Sequence, residues 1–168
     1  MFTYIRNIYH PSYYIFGNQQ IQSNSLFEIM WITFSVSANM QFVIGVCYHP
    51  PKPLYNTDQL IGKISSDLDY IHANSPDSVL IFTGDLNSLP VNFLVNNYGL
   101  TLINNTSTHG KRILDKFYTS RPDLFVCRTV ESTVKTNHKA VIIGADDFVN
   151  DPLPLPTSGS AKPATNKR

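Results

Sequence analysis

Four polar positions at the ends of apolar runs have the residue types of a hydrolytic site. In Val79-Leu80-Ile81-Phe82-Thr83-Gly84-Asp85-Leu86-Asn87, a carboxylate and a carboxamide stand two residues apart just past a buried-type run. Asp115 lies in Ile113-Leu114-Asp115-Lys116-Phe117, and Thr136-Asn137-His138 leads directly into Lys139-Ala140-Val141-Ile142. Tyr48 closes the run Phe42 to Cys47. An acid, an amide, a second acid and a histidine suit the hydrolysis of a phosphate ester. That reaction needs a base for water, an orienting hydrogen bond and positive charge on the phosphoryl oxygens. A hard divalent cation held by carboxylates commonly supplies part of that charge. Taken singly, each residue has an ordinary explanation. Asp and Asn after a strand are turn formers, Asp115 alone is a strand acid, and a lone histidine is a loop residue. The ordered set carries the functional reading.

These residues need strands to deliver them. Ile32, Phe34 and Val36 alternate with Thr33, Ser35 and Ser37, a period of two over aromatic and β-branched residues. Residues 26–48 therefore read as a two-stranded hairpin turning at Ser37-Ala38-Asn39. The prolines at 50, 51 and 53 stop its second strand. An earlier short strand is expected at Phe2 to Ile5, and a loop over 9–25. Residues 57–73 form an amphipathic helix with Leu60, Ile61, Ile64, Leu68 and Ile71 on one stripe. Thr57 is its expected cap and Asp58 suits its positive end. A strand follows at 79–84, then a short helix at 91–97 closed by Gly99. Further strands are expected at 100–104, 113–120, 124–130 and 139–144. This order implies an α/β or α+β fold, a β-sandwich of two mixed sheets flanked by helices. Strand ends joined by loops are where such folds collect their sites.

The chain of 168 residues is 42% hydrophobic and 15% charged, a globular balance that excludes a disordered chain. A formal charge of +1 neither requires nor excludes a nucleic-acid partner, so a binding face must come from local clustering. Lys111, Arg112 and Lys116 form one such cluster near Asp115. The two cysteines, Cys47 and Cys127, provide neither a disulfide framework nor paired zinc spacing, and read as buried thiols of a reducing compartment. Residues 26–48 carry only Glu28 as a charge, but Ser35, Ser37, Asn39 and Gln41 in their middle argue against a membrane span. The N-terminus lacks the pattern of a secretory signal. A domain over 1–147 and a disordered, proline-rich tail over 148–168 are expected.

Four segments in order, Gly45-Val46-Cys47-Tyr48-His49-Pro50-Pro51, residues 80–88, residues 113–120 and residues 136–142, resemble the successive motifs of the endonuclease/exonuclease/phosphatase superfamily. The closest resemblance is to the apurinic-like endonuclease domain of non-LTR retrotransposons. It covers residues 26–145. The resemblance implies a DNA strand as substrate, nicked at a phosphodiester with magnesium. Asp85 would help activate the attacking water, and Asn87 would orient that water or the phosphate. His138 would stabilise the developing charge, Asp115 would hold His138 aimed and charged, and Tyr48 would bind the phosphate. Lys111 and Arg112 would meet substrate phosphates. The implied setting is intracellular and nuclear. The expected state is a monomer acting beside a reverse transcriptase of the parent element, with no membrane partner.

Two departures qualify that expectation. Family members begin with two further strands, one bearing an Asn and the next a metal-binding Glu. This chain starts after them, and Glu28 is not in the place of that Glu. The family's Ser-Asp-His reads Thr136-Asn137-His138 here, so a neutral amide stands where an acid lies near the metal. Asn137 can still offer an oxygen, without charge. Weak magnesium binding, impaired nicking and a truncated chain are therefore expected. The alternatives are a non-catalytic nucleic-acid-binding module of the same fold and another phosphohydrolase of that superfamily, acting on a phosphoinositide or nucleotide.

Overall fold

The computed structural model describes Ser12–Tyr13 and residues 26–144. Strand β1 is Ser12–Tyr13, β2 Glu28–Ser37 and β3 Met40–Tyr48; helix α1 is Thr57–Asn74, followed by β4 Val79–Asp85 and α2 Asn92–Tyr98; then come β5 Thr101–Leu102, β6 Asp115–Thr119, β7 Val126–Val130 and β8 Ala140–Gly144. The fold is mixed α+β. One six-stranded sheet has the order β1-β2-β3-β4-β6-β5, and β7 and β8 pair separately. No helix among the described residues is long and apolar enough to cross a membrane.

The expected hairpin is present as β2 and β3, turning at Ala38 and Asn39, with Ile32 opposite Ile44 and an irregularity between Ser35 and Ser37. The turn leaves too few residues for anything but antiparallel pairing. Helix α1 then returns the chain so that β4 runs parallel to β3, with Phe42 beside Val79 and Val46 beside Thr83. The expected 9–25 loop is interrupted: Ser12 and Tyr13 pair with Thr33 and Ile32 on the open edge of β2. Two residues are too short to leave a periodicity in the sequence. The expected strand at Phe2 to Ile5 and the tail at 148–168 lie outside the described residues.

The cap of α1 is Asn56, one residue before Thr57. Asn56 is still extended (φ −72°, ψ 130°), so its Oδ1 accepts from the Asp58 N–H at 2.9 Å while Gln59 Oε1 accepts from the Asn56 N–H at 3.3 Å. Leu60, Ile64, Leu68 and Ile71 are buried against Trp31, Val43, Leu80 and Phe82. Asp67 is buried on the same helix. It accepts from Trp31 Nε1 at 2.9 Å and pairs with Lys63, so its charge is answered. Gly45 makes room for this face: a Cβ there would lie 2.5 Å from the Trp31 ring. Helix α2 ends at Gly99 in the left-handed conformation (φ 64°), whose N–H bonds back into the last turn.

Successive residues of a strand face opposite sides. Leu80 and Phe82 join the α1 core, whereas Val79 and Ile81 join a second cluster with Phe42, packed by Phe117, Leu124 and Phe125. By alternation Asp85 continues the Val79–Ile81 row, and Asp115 continues the Phe117 row. The site therefore grows out of the face turned away from α1.

Gly84 permits β4 to end where it does. Its φ is +146°, and a Cβ there would meet the Cys47 carbonyl oxygen at 1.8 Å. No rotamer relieves a clash with backbone. Gly84→Ala should cost at least about 3 kcal/mol of stability, while Gly62→Ala, in open space on α1, should gain roughly 0.5–1 kcal/mol. Urea unfolding of the two variants measures the contrast.

Candidate functional site

The ends of β3, β4 and β6 are tied together by main-chain bonds. The His49 N–H donates to the Asp85 carbonyl at 3.0 Å, and the Leu86 N–H donates to the Leu114 carbonyl at 2.9 Å. Asp85 and Asp115 are directly opposite in the β4–β6 register. The Asp115 N–H donates away from β4, to Thr108 Oγ1 at 3.1 Å, and its carbonyl accepts from Asn104 Nδ2 at 2.7 Å. Asp85 and Asp115 are thus a non-hydrogen-bonded pair, the arrangement that brings opposed side chains closest. Two carboxylates face each other.

His138 answers one of them. Its Nδ1 lies 2.8 Å from Asp115 Oδ2. A carboxylate only accepts, so Nδ1 carries the hydrogen and Nε2 is left for a ligand. The His109 ring stacks on His138 with centroids 4.7 Å apart and planes 24° from parallel. The Lys139 N–H, next in the chain, donates to the Thr108 carbonyl at 2.7 Å. Thr108 is fully buried, and its Oγ1 also accepts from the Leu114 N–H at 3.0 Å. One threonine therefore fixes the strand carrying Asp115 and the turn carrying His138.

Asp85 is left less satisfied. Its Oδ1 is buried and has no hydrogen-bond partner. Burial and then the Asp115 charge push its carboxyl above the usual range, more than His138 and hydrogen bonds from Asn87 draw it down. One ligand atom from each of Asp85, Asp115 and His138 lies within 4.8 Å of the others. An orphaned carboxylate oxygen beside a second carboxylate fits a cation: it would supply the partner that Asp85 Oδ1 lacks and offset the like charges.

Asn87 adopts a left-handed conformation (φ 43°), which Asn tolerates, and its Nδ2 donates to the His49 carbonyl at 2.8 Å. A main-chain carbonyl only accepts, so the amide is oriented without ambiguity. Continuing the parallel register two residues past Val46 and Thr83 brings half-buried Tyr48 level with Asp85. Asn137 is exposed beside His138. Lys111 and Arg112 are exposed on a tight turn in which His109 pairs with Arg112 across Gly110 (φ 57°). Lys116 is no part of an exposed cluster with them: it is half-buried, and that burial lowers its affinity for a proton. Cys127 is half-buried, and only Cys47 is fully so, its thiol pushed up to about 12 mainly by burial.

Sequence reasoning missed Thr108, His109 and His49. Thr108 and His109 sit in the polar run Asn105-Thr106-Ser107-Thr108-His109, where nothing separates a buried hydroxyl from a solvated one. His49 sits among prolines that signal only a strand end.

No family model matches the chain, and no curated protein matches it.

The electrostatics of Asp85 make a stability prediction. A carboxyl whose folded pKa is raised contributes stability that is present below its ordinary value of 3.8 and lost as pH rises through the folded value. Asp85→Asn removes that loss. The variant should be more stable at pH 7 by about 1 kcal/mol, because it removes a half-buried charge facing the Asp115 charge, an effect reduced by partial solvent screening. Its stability should also fall less between pH 4 and pH 7. Urea midpoints across that range test both points.

Proposed function

We propose that this chain carries a metal-dependent phosphodiesterase site of the DNA-endonuclease type, with weak affinity for its cation. The observation that carries the reading is the cluster of Asp85, Asp115 and His138, with Asp85 Oδ1 and His138 Nε2 both free to act. The resemblance of four ordered motifs to the endonuclease/exonuclease/phosphatase superfamily supports it, and family membership is part of the proposal. Leu124 and Phe125 pack onto the Phe42 and Phe117 face. That packing supports β7 and β8 as part of the second layer of a sandwich.

In this reading Asp85 takes the proton of the attacking water or holds that water against the phosphorus. Its raised proton affinity suits the first task. Asn87, with Nδ2 committed to His49, presents Oδ1 as an acceptor for a water O–H. His138 donates from Nε2 to a phosphoryl oxygen, and its ring cannot turn because Asp115 holds Nδ1 and His109 covers one face. Tyr48 stands level with Asp85 to meet a second oxygen. Lys111 and Arg112 offer positive charge to neighbouring phosphates. Asp85 and Asp115 would hold magnesium, which supplies Lewis-acid stabilisation of the phosphoryl charge. Asp115 already gives one oxygen to His138, and Asn137 adds no charge. Few anionic oxygens remain, and anionic ligand count sets the affinity for hard cations.

Plasmid nicking over a magnesium series tests the reading. Slow nicking should appear only in the millimolar range and rise with magnesium. Asp85→Asn should abolish it, and His138→Ala should slow it by roughly a hundredfold or more. Nicking that survives Asp85→Asn would sink the assignment. Salt-dependent DNA binding without cleavage, lost when Lys111 and Arg112 are neutralised, would instead leave the non-catalytic binding module.

A further inference from the structure

We infer that His49, braced by Tyr55, is the positioning residue that sets the geometry of Asp85 and Asn87; the inference rests on the phosphodiesterase reading for its kinetic consequence but not for its structural one. His49 is 2% exposed and makes three bonds, two to the end of β4 and one to Tyr55. Its N–H donates to the carbonyl of Asp85 at 3.0 Å, its carbonyl accepts from Asn87 Nδ2 at 2.8 Å, and its Nδ1 lies 3.0 Å from Tyr55 Oη. The first two bonds clasp both polar residues of the β4 end from the end of the adjacent strand β3. The third anchors the clasp.

The anchor itself is well founded. Tyr55 stacks edge-on against Phe27, with centroids 4.9 Å apart, and immediately precedes the Asn56 cap of α1. The path runs from a capped helix through Tyr55 to His49, and from there by main-chain bonds to Asp85 and Asn87. Pro50, Pro51 and Pro53 fill the intervening segment and restrict its backbone. Any residue at position 49 could make the two main-chain bonds, but only a side chain with a polar atom at Nδ1 can tie them to Tyr55. An imidazole held by Nδ1 fixes the rotation of the peptide groups on both sides of it, and those are the groups that meet Asp85 and Asn87. With Nδ2 taken, the Asn87 oxygen points where the main chain of His49 directs it. Misplacement of such a group by a fraction of an ångström is costly to a reaction that depends on alignment.

Three variants of the full chain test the inference. Tyr55→Phe removes only the hydroxyl. His49→Leu keeps bulk and loses Nδ1. His49→Asn places an amide atom where Nδ1 was and can regain the Tyr55 bond. In the unaltered chain the side-chain amide resonance of Asn87 should be resolved and slow to exchange. In Tyr55→Phe and His49→Leu it should shift and exchange faster, while the Trp31 indole resonance stays in place. His49→Asn should restore it in part. In the nicking assay, kcat should fall roughly ten- to a hundredfold in the first two variants with KM for DNA within about twofold, and His49→Asn should recover much of the loss. Unchanged Asn87 resonances together with unchanged kcat in both Tyr55→Phe and His49→Leu overturn the inference. Should the unaltered chain fail to nick, the phosphodiesterase reading falls, and the Asn87 resonances alone decide the positioning role. If His49→Leu is too unstable to purify, Tyr55→Phe, which leaves the core intact, decides by the same resonances.

Discussion

Two carboxylates directly opposite each other across β4 and β6 are the constraint on which the rest of the site depends. Like charges in a non-hydrogen-bonded pair repel at close range, and neither strand can slip by one residue without sending its side chain to the α1 core. The register is therefore held elsewhere. Gly84 lets β4 press against the Cys47 carbonyl, and Leu86 bonds back to Leu114. Asn104 supplies both ends of its amide to β6, accepting from the Phe117 N–H at 2.8 Å and donating to the Asp115 carbonyl at 2.7 Å. Apolar packing on both faces provides the remaining stabilisation. The opposed pair persists because everything around it is overdetermined.

The two acids are treated differently, and this asymmetry gives them different chemistry. Asp115 has a histidine at 2.8 Å. Asp85 has an oxygen with no partner. One acid orients an imidazole, and the other is left to bind a ligand or a proton. Thr108 maintains the asymmetry from below, since it bonds to both the Asp115 N–H and the Lys139 N–H. A threonine with no contact to any ligand thus decides which carboxylate is satisfied.

Legibility in the sequence followed the range of the interactions. The hairpin, α1, α2 and β4 were readable because periodicity and local punctuation specify them: alternation in 28–37, the Leu60-Ile64-Leu68-Ile71 stripe, and Gly99 at a helix end. The cap moved by one residue because Thr57 and Asn56 are both good caps, and only backbone conformation chooses between them. Strand β1 escaped because two residues carry no period. The order Asp85, Asp115, His138 was legible, and the resemblance implied the Asp115–His138 contact that the structure has; the opposition of Asp85 and Asp115 was not legible, since it depends on a cross-strand register. The clasp through His49 uses mainly its peptide groups, which every residue possesses, so no side-chain pattern could have revealed it.

The free nitrogen of His138 places a chemical limit on what the site can hold. Nε2 can donate a hydrogen to a phosphoryl oxygen, or it can give a lone pair to a metal, but not both. Hard cations such as magnesium prefer oxygen and leave Nε2 alone, whereas zinc takes imidazole nitrogen readily. With zinc, the same three residues would leave a fourth position open, and the imidazole would be lost as a donor. On the proposed reading, magnesium would sit on the carboxylate oxygens and leave the imidazole its proton for a phosphate. The bond from Nδ1 to Asp115 is compatible with either use. The division of labour proposed for Asp85 and His138 would therefore depend on the hardness of the cation as much as on the positions of the residues.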